Sequence, residues 1–157
     1  MTGTPSPAPA STPSRPLRVA VAGASGRMGR MLIEALRASD DCVLAGALDV
    51  PSSPGIGSDA TAFLGHASGV AITADIAAGL KNADVLIDFT RPEGTLAHLA
   101  VCCELGVKAV VGTTGFTDAQ KAEIAVFAQR TAIVMAPNMS VGVNVTLKLL
   151  QMAAKAM

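Results

Sequence analysis

Three glycines spaced three residues apart form a candidate site for binding phosphate. Gly23, Gly26 and Gly29 lie in the stretch VAVAGASGRMGRML, after a short apolar run and at the start of a helical pattern. This spacing is related to the G-x-G-x-x-G turn that binds the pyrophosphate of a dinucleotide. There, glycines permit a tight bend, a close backbone approach to phosphate and close packing of the helix on the strand, while unpaired N–H groups face the anion. The alternative is a corner with a purely structural role.

A carboxylate favours the dinucleotide interpretation. Asp49 ends the second apolar run, 20 residues after Gly29, where an acidic side chain typically accepts the ribose hydroxyls of the adenosine half. A carboxylate repels a 2′-phosphate and Val50 brings no positive charge, so NADH is predicted as the preferred cofactor, with NADPH also usable. Arg27 and Arg30 are close enough in sequence to offset the repulsion, although solvated arginines on a helix face are an equal alternative.

These residues need a scaffold that brings strand ends together. From residue 17 onward, short apolar runs alternate with helical patterns. The patterns predict strands at 17–23, 42–49, 70–73, 84–89, 108–114 and 132–137, and helices at 27–39, 75–83, 92–106 and 117–130. Buried strands joined by crossover helices form a parallel sheet covered on both faces. The predicted fold class is therefore α/β, a doubly wound parallel sheet of the Rossmann type. Segment 50–69, rich in Pro, Gly and Ser, is predicted to be irregular, with a short helix or strand near 60–65.

Polar residues also follow the fourth predicted strand. Thr90 and Glu93 have the spacing of a capping box, and Pro92 suits a first helical turn. Capping therefore accounts for all three. Arg91 is left as either a cofactor contact or a surface side chain.

The last two predicted strands end in small or polar residues. The segment 112–116, GTTGF, would let a nicotinamide ribose approach the backbone, with an ordinary turn as the alternative. After the final strand, Asn138 can form a hydrogen bond with an amide, and Ser140 can cap the last helix.

The histidines and cysteines predict no metal site. No carboxylate or second histidine lies at ligand spacing from His98, so a packed or surface imidazole is expected there, and His66 is equally isolated. The three cysteines, Cys42, Cys102 and Cys103, show no C-x-x-C spacing. They are predicted to be reduced thiols that fill apolar space in a cytoplasmic protein.

Composition narrows the class of partner. A length of 157 residues suits one buried core, and 12 basic residues balance 12 acidic ones, so no net field would attract nucleic acid or an anionic membrane. A membrane span needs about 18 uninterrupted apolar residues, which the sequence lacks. A small-molecule partner is therefore expected. Residues 1–16 hold five of the nine prolines and are predicted to be a disordered tail.

Four motifs in order resemble the amino-terminal cofactor domain of 4-hydroxy-tetrahydrodipicolinate reductase, formerly called dihydrodipicolinate reductase, of bacterial lysine and diaminopimelate synthesis. They are VAVAGASGRMGR, DFTRPEGT, VVGTTGF and NMSVGVNV. The resemblance runs from residue 17 to the last residue. It implies that 23–28 bind the pyrophosphate, Asp49 the adenosine ribose, 112–114 the nicotinamide side and 136–139 the far edge of the nicotinamide pocket. The complete expected cofactor-binding set is Gly23, Ala24, Ser25, Gly26, Arg27, Met28, Asp49, Phe89, Thr90, Arg91, Gly112, Thr113, Thr114, Ala136, Pro137, Asn138 and Met139.

Two positions depart from the family pattern. Val50 stands where some members have arginine, which argues against strong use of NADPH, and Met139 replaces a residue that is aromatic in some relatives. The family's His-His-x-x-Lys-x-Asp-x-x-Ser-Gly-Thr segment has no counterpart here. No catalytic residue is therefore expected in this chain.

The resemblance also implies a division of the protein. Residues 17–139 are expected to form the dinucleotide-binding domain, and 140–157 a hinge and the start of a helix leading to a substrate domain that is missing from this chain. The full-length protein, a homotetramer, would transfer hydride from NAD(P)H to a cyclic imine dicarboxylate, whereas this chain alone would bind NADH without turnover. The alternatives are another NAD(P)-dependent reductase or a non-catalytic dinucleotide-sensing module.

Overall fold

The computed structural model describes residues 15–157. Residues 1–14 of the predicted tail lie outside the described residues, so that tail remains a prediction. The strands are β1 (Leu17–Ala22), β2 (Cys42–Leu48), β3 (Ile72–Thr73), β4 (Val85–Asp88), β5 (Lys108–Val111) and β6 (Ile133–Met135). The α-helices are α1 (Arg27–Arg37), α2 (Ile76–Leu80), α3 (Pro92–Leu105), α4 (Asp118–Phe127) and α5 (Val141–Ala156), and a 3-10 turn spans Ala62–Leu64. The predicted alternation of strands and helices is confirmed.

The six strands form one parallel sheet in the order β3-β2-β1-β4-β5-β6. From β1 the chain builds outward to β3 on one side, and then returns to the centre to place β4 on the other side of β1. This is the strand order of a doubly wound dinucleotide-binding sheet, so the predicted fold class is confirmed. Ligands of such sheets bind outside the carboxyl ends of the strands, where the order reverses.

Apolar residues cover both faces of the sheet, as a parallel sheet requires. Successive residues of a strand point to opposite faces, and β1 follows this rule. Val19 and Val21 belong to the same cluster as Ile33 of α1, while Ala20 and Ala22 pack in a second cluster with Leu80 of α2 and residues of α3. The central strand is therefore buried on both sides, which fixes its carboxyl end beside the start of α1.

Cys102 lies in the second of these clusters and is fully buried. Burial, with the neighbouring Cys103 and Asp88, raises the pKa of the Cys102 thiol to about 12, so the group stays protonated. All three cysteines are free. Cys102 fills apolar space as predicted, whereas Cys42 and Cys103 are only partly buried.

The segment between β2 and β3 is irregular, as predicted, but it is held in a fixed loop by Asp59. The Asp59 carboxylate accepts hydrogen bonds from the backbone N–H groups of Thr61, Ser68 and Gly69, and from the Thr61 and Ser68 hydroxyls. The backbone N–H groups of Ser68 and Thr61 contribute most to holding the pKa of Asp59 well below its usual range. The loop is therefore ordered by side-chain bonds to the backbone, which replace regular secondary structure.

The final helix, α5, is apolar and exposed. Ser140 caps it as predicted, since its Oγ accepts a hydrogen bond from the backbone N–H of Val143 at 3.4 Å. Val141, Leu149 and Leu150 are 77, 60 and 61% exposed. Among residues 15–157, no helix combines the length and the hydropathy needed to cross a membrane.

Candidate cofactor site

The sequence-predicted site residues all follow the carboxyl ends of strands. Because every strand pair is parallel, these ends lie along one edge of the sheet. Residues 23–28 follow β1, Asp49 follows β2, 89–91 follow β4, 112–114 follow β5 and 136–139 follow β6. The fold therefore brings the five predicted segments to the edge at which a doubly wound sheet binds its ligand.

The turn after β1 has the geometry that the glycine spacing predicts. Gly23 has a φ of +71°, and its carbonyl accepts the Gly26 N–H at 2.9 Å. A Cβ on Gly29 would overlap the Gly23 carbonyl oxygen, so the predicted close packing of the helix on the turn is confirmed. The first N–H groups of a helix have no partner within it. The first turn of α1 is acid-free and starts at exposed Arg27, an arrangement that suits an anion.

The Asp49 carboxylate is fixed beside this turn. Its Oδ2 accepts the Ser25 backbone N–H at 2.9 Å and the Ser53 hydroxyl at 3.1 Å, and its Oδ1 accepts the Val50 N–H at 2.8 Å. Burial tends to raise the pKa of Asp49, but hydrogen bonds from Ser25, Val50 and Ser53 outweigh it, so the pKa lies below its ordinary value. An ionised acceptor is thus held at the end of β2, next to the phosphate-type turn.

The two arginines of early α1 differ in their surroundings. The guanidinium carbon of Arg30 lies 5.4 Å from the ring centroid of Phe63, within range of a cation–π contact. Arg27 is exposed in the first helical turn, next to Gly26. Arg30 therefore packs against the loop between β2 and β3, and Arg27 is the cation that extends from the turn itself.

Phe89 covers the segment after β5. A side chain on Gly112 would overlap the Phe89 ring, so the ring packs directly on this backbone. The Gly112 N–H also donates to the Asp88 carbonyl at 2.9 Å. The small size of Gly112 is therefore used by a neighbouring aromatic ring, and the predicted approach of a nicotinamide ribose concerns the remaining surface, including exposed Thr114.

The predicted capping box at the start of α3 is wrong. The residue at the N-cap is Arg91, which makes no side-chain capping bond, while Pro92 occupies the first turn as predicted. The Thr90 hydroxyl instead donates to Asp88 Oδ1 at 2.6 Å. A buried carboxylate is a stronger acceptor than a helix end that solvent can reach, and this explains why Thr90 faces Asp88.

A buried carboxylate–histidine pair lies beneath the site, and the prediction of an unpartnered His98 is wrong. His98 Nδ1 lies 2.8 Å from Asp88 Oδ2, and the Asp88 side chain is 1% exposed. Asp88 Oδ1 also accepts from Thr90 and, at 3.4 Å, from Thr113, which in turn accepts the Thr95 hydroxyl at 2.9 Å. Burial tends to raise the pKa of Asp88, but His98 and Thr90 lower it below its ordinary value.

This pair has a faint signal in the sequence. Asp88 is an acid at the end of an otherwise apolar strand, and Thr95 and His98 are three residues apart on the following helix, where residues three apart share a face. An acid with two polar side chains on one helical face indicates a buried network. The network connects the segments after β4 and β5 that the cofactor prediction names.

The segment after β6 divides in two. The Ala136 N–H donates to the Val111 carbonyl at 3.2 Å, which ties this residue to β5. The Asn138 Oδ1 accepts the Ser140 N–H at 2.8 Å, and Met139 is 38% exposed. The Asn138 carbonyl oxygen therefore serves the start of α5, and its amide N–H₂ group is the part left to meet a ligand.

Comparisons with known proteins identify relatives over most of the chain. A family model described as "Dihydrodipicolinate reductase, N-terminus" matches residues 17–139. Curated proteins called 4-hydroxy-tetrahydrodipicolinate reductase from Herminiimonas arsenicoxydans and Cupriavidus pinatubonensis are each 64% identical over 139 residues, which is 88% of this chain and 52% of each relative. The chain therefore spans about half the length of these relatives.

Solved structures support the fold independently. A dipicolinate-bound dihydrodipicolinate reductase from Paenisporosarcina sp. TG-14 superposes with a TM-score of 0.67 at 23% identity, covering 88% of this chain and 54% of that protein. An NAD-binding protein from Listeria innocua gives a TM-score of 0.56 at 20% identity, over 79% of this chain and 36% of that one. At these identities the likeness shows the fold alone. The family assignment comes from the match over residues 17–139, and on that ground the chain belongs to the dihydrodipicolinate reductase family, as its amino-terminal region.

Proposed function

We propose that this chain binds NADH in preference to NADPH, as the cofactor-binding part of a 4-hydroxy-tetrahydrodipicolinate reductase. The observation that supports this most directly is the position of Asp49. Its ionised carboxylate accepts the Ser25 N–H at 2.9 Å, so an acceptor for ribose hydroxyls stands beside a turn suited to pyrophosphate. Few surface corners combine these two features.

Each predicted segment receives a role in this proposal. Residues 23–28 hold the pyrophosphate, and Asp49 accepts the hydroxyls of the adenosine ribose. Residues 89–91 and 112–114 hold the nicotinamide half, and 136–139 form the far edge of its pocket. The buried Asp88–His98 pair supports two of these segments, because its hydrogen bonds reach both Thr90 and Thr113.

The cofactor preference follows from charge. A 2′-phosphate would be brought next to the Asp49 carboxylate, whose hydrogen bonds keep it ionised. Val50, the next residue, adds no cation, and Arg30 is engaged with Phe63. Arg27 alone of these two arginines is placed to attract the extra phosphate, so NADPH is accepted but bound more weakly.

The activity of the whole protein is a wider proposal. Bound NADH supplies a hydride, and this chain's residues orient the cofactor. We assign the groups that bind the cyclic imine dicarboxylate, 4-hydroxy-tetrahydrodipicolinate, to the half of the relatives that this chain does not match. We further propose that the full-length protein is a cytoplasmic homotetramer that acts on a small molecule and not on nucleic acid, in agreement with its balanced charge of 12 basic and 12 acidic residues.

Replacing Asp49 with alanine is expected to weaken NADH binding about tenfold or more, because hydrogen bonds to a charged acceptor contribute about 1.5–3 kcal/mol. The affinity for NADPH should fall less, since the repulsion of the 2′-phosphate is removed together with the ribose contact. The measurement is a titration that follows the fluorescence of the cofactor, which is unobscured because the protein contains neither Trp nor Tyr.

The matched control is Asp40→Ala, at an exposed aspartate before β2, which should leave both affinities unchanged. Circular dichroism on the same samples establishes that each variant folds. A folded wild-type chain that shows no saturable binding of either cofactor would contradict the proposal and leave the glycine turn as a structural corner.

The chain alone is expected to bind NADH without catalysing reduction. The substrate and its proton donor need groups that we assign to the unmatched half of the relatives. A continuous assay of NADH absorbance, with 4-hydroxy-tetrahydrodipicolinate generated in the cuvette, should show a rate equal to that without protein. Rapid substrate-dependent oxidation of NADH would refute this division of roles.

A further inference from the structure

Asp49 has less free capacity for a ribose than its position suggests, an observation whose meaning rests on the proposed function. A carboxylate offers about four lone-pair sites, two on each oxygen. Oδ1 accepts one donor, the Val50 N–H, whereas Oδ2 accepts two, the Ser25 N–H and the Ser53 hydroxyl. A ribose that binds through both hydroxyls needs one site on each oxygen, and both sites of Oδ2 are occupied.

The three donors to Asp49 are not equally replaceable. The N–H groups of Ser25 and Val50 are fixed in the backbone, and moving the first would open the turn that follows Gly23. The third donor, the Ser53 hydroxyl, can rotate. Ser53 Oγ is also 3.1 Å from Ser25 Oγ, the same distance as from Asp49 Oδ2. Because a hydroxyl carries one proton, Ser53 donates to Asp49 or to Ser25, but not to both at once.

The surrounding contacts keep the Ser53 oxygen in place while its proton changes partner. The Gly55 N–H donates to Ser53 Oγ at 3.3 Å, and the Ser53 N–H donates to the Val50 carbonyl at 2.9 Å. Gly55 itself packs so closely on Ser25 that a side chain there would overlap its Oγ. The exchange therefore needs rotation about one C–O bond and no movement of the loop.

We propose that Ser53 competes with a ribose hydroxyl for Asp49 Oδ2 and thereby sets the affinity for the adenosine half of the cofactor. When the ribose binds, the Ser53 proton turns to Ser25 Oγ and frees the site on Oδ2. A hydrogen bond to a carboxylate is about twice as strong as one between neutral groups, so this exchange costs affinity. Ser53 acts through Asp49 and is a positioning residue.

The test compares ADP with 2′,3′-dideoxy-ADP, which lacks both ribose hydroxyls, by isothermal titration calorimetry on the whole chain. Ser53→Ala is expected to bind ADP about fivefold more tightly than wild type, because the competing hydroxyl is gone. Its affinity for dideoxy-ADP should not change. The control is Ser52→Ala, at the exposed neighbouring serine, which should change neither affinity.

A second variant tests the exchange from the other side. Ser25→Ala keeps the backbone N–H but removes the alternative acceptor, so Ser53 remains on Asp49, and ADP should bind severalfold more weakly while dideoxy-ADP is unaffected. An equal change for both ligands would assign the effect to loop structure and overturn the inference, as would unchanged or weaker ADP binding by a folded Ser53→Ala chain. If wild type binds NADH and ADP, the proposed function stands whatever these variants do; if it binds neither, both ideas fail.

Discussion

Replacing Gly29 with alanine is expected to destabilise the chain by about 3 kcal/mol, in the upper part of the range for overpacked sites, and to abolish saturable NADH binding. The added Cβ would overlap the Gly23 carbonyl oxygen and lie 2.8 Å from the Ala24 Cα. Both neighbours are backbone atoms, so no side chain can rotate to make room. Either α1 moves away from β1 or the turn opens, and each change removes the anion site.

The effect is measured by thermal unfolding, where such a loss lowers the midpoint by about 10 °C for a domain of this size. Gly142→Ala is the matched control, because Gly142 is exposed in α5 and a Cβ there would meet nothing closer than Ser140 Oγ at 3.9 Å. Alanine favours a helix interior by up to about 1 kcal/mol over glycine, so the control should be neutral or stabilising. An unchanged midpoint for Gly29→Ala would show that the glycine spacing has no packing role.

The fold could be predicted from sequence because each strand is buried on both faces and each crossover is a helix. Runs such as VAVA in β1 then read as continuous apolar segments, and the punctuation by glycine and acid marks their ends. The loop between β2 and β3 was harder to predict. Its order comes from Asp59 and Ser68, which are joined across nine residues, and such contacts leave no periodic pattern.

The candidate site could be predicted where it depends on backbone, and less well where side chains compete for partners. Gly23 and Gly29 were identified because a positive φ and a close contact restrict the residue type. Thr90 was assigned to a cap because local spacing cannot reveal that a buried carboxylate will accept its hydroxyl. His98 was left without a partner because its carboxylate comes from β4, in the layer beneath the helix, and not from a helical neighbour.

Replacing His98 with alanine is expected to cost about 3 kcal/mol at neutral pH, because it leaves a buried carboxylate without its partner. Asp88 is 1% exposed and would keep donors from Thr90 and Thr113 alone. Adding Asp88→Asn to the His98→Ala chain should restore part of the loss, since the remaining buried group is then neutral. Chemical denaturation of the wild type, the two single variants and the double variant gives the coupling energy, which we expect to exceed about 1 kcal/mol.

The pH dependence of this difference identifies its origin. In wild type the folded-state pKa of Asp88 lies below its ordinary value of 3.8. The carboxylate therefore contributes stability above pH 3.8, and this contribution is lost as the pH falls through the folded-state value. Without His98, burial should dominate and raise the pKa of Asp88 above 3.8, so the variant gains stability as Asp88 becomes protonated on acidification. The gap between the two proteins should consequently narrow from pH 7 toward pH 4, whereas a gap that stays constant would mean that His98 acts by packing and not through the charge on Asp88.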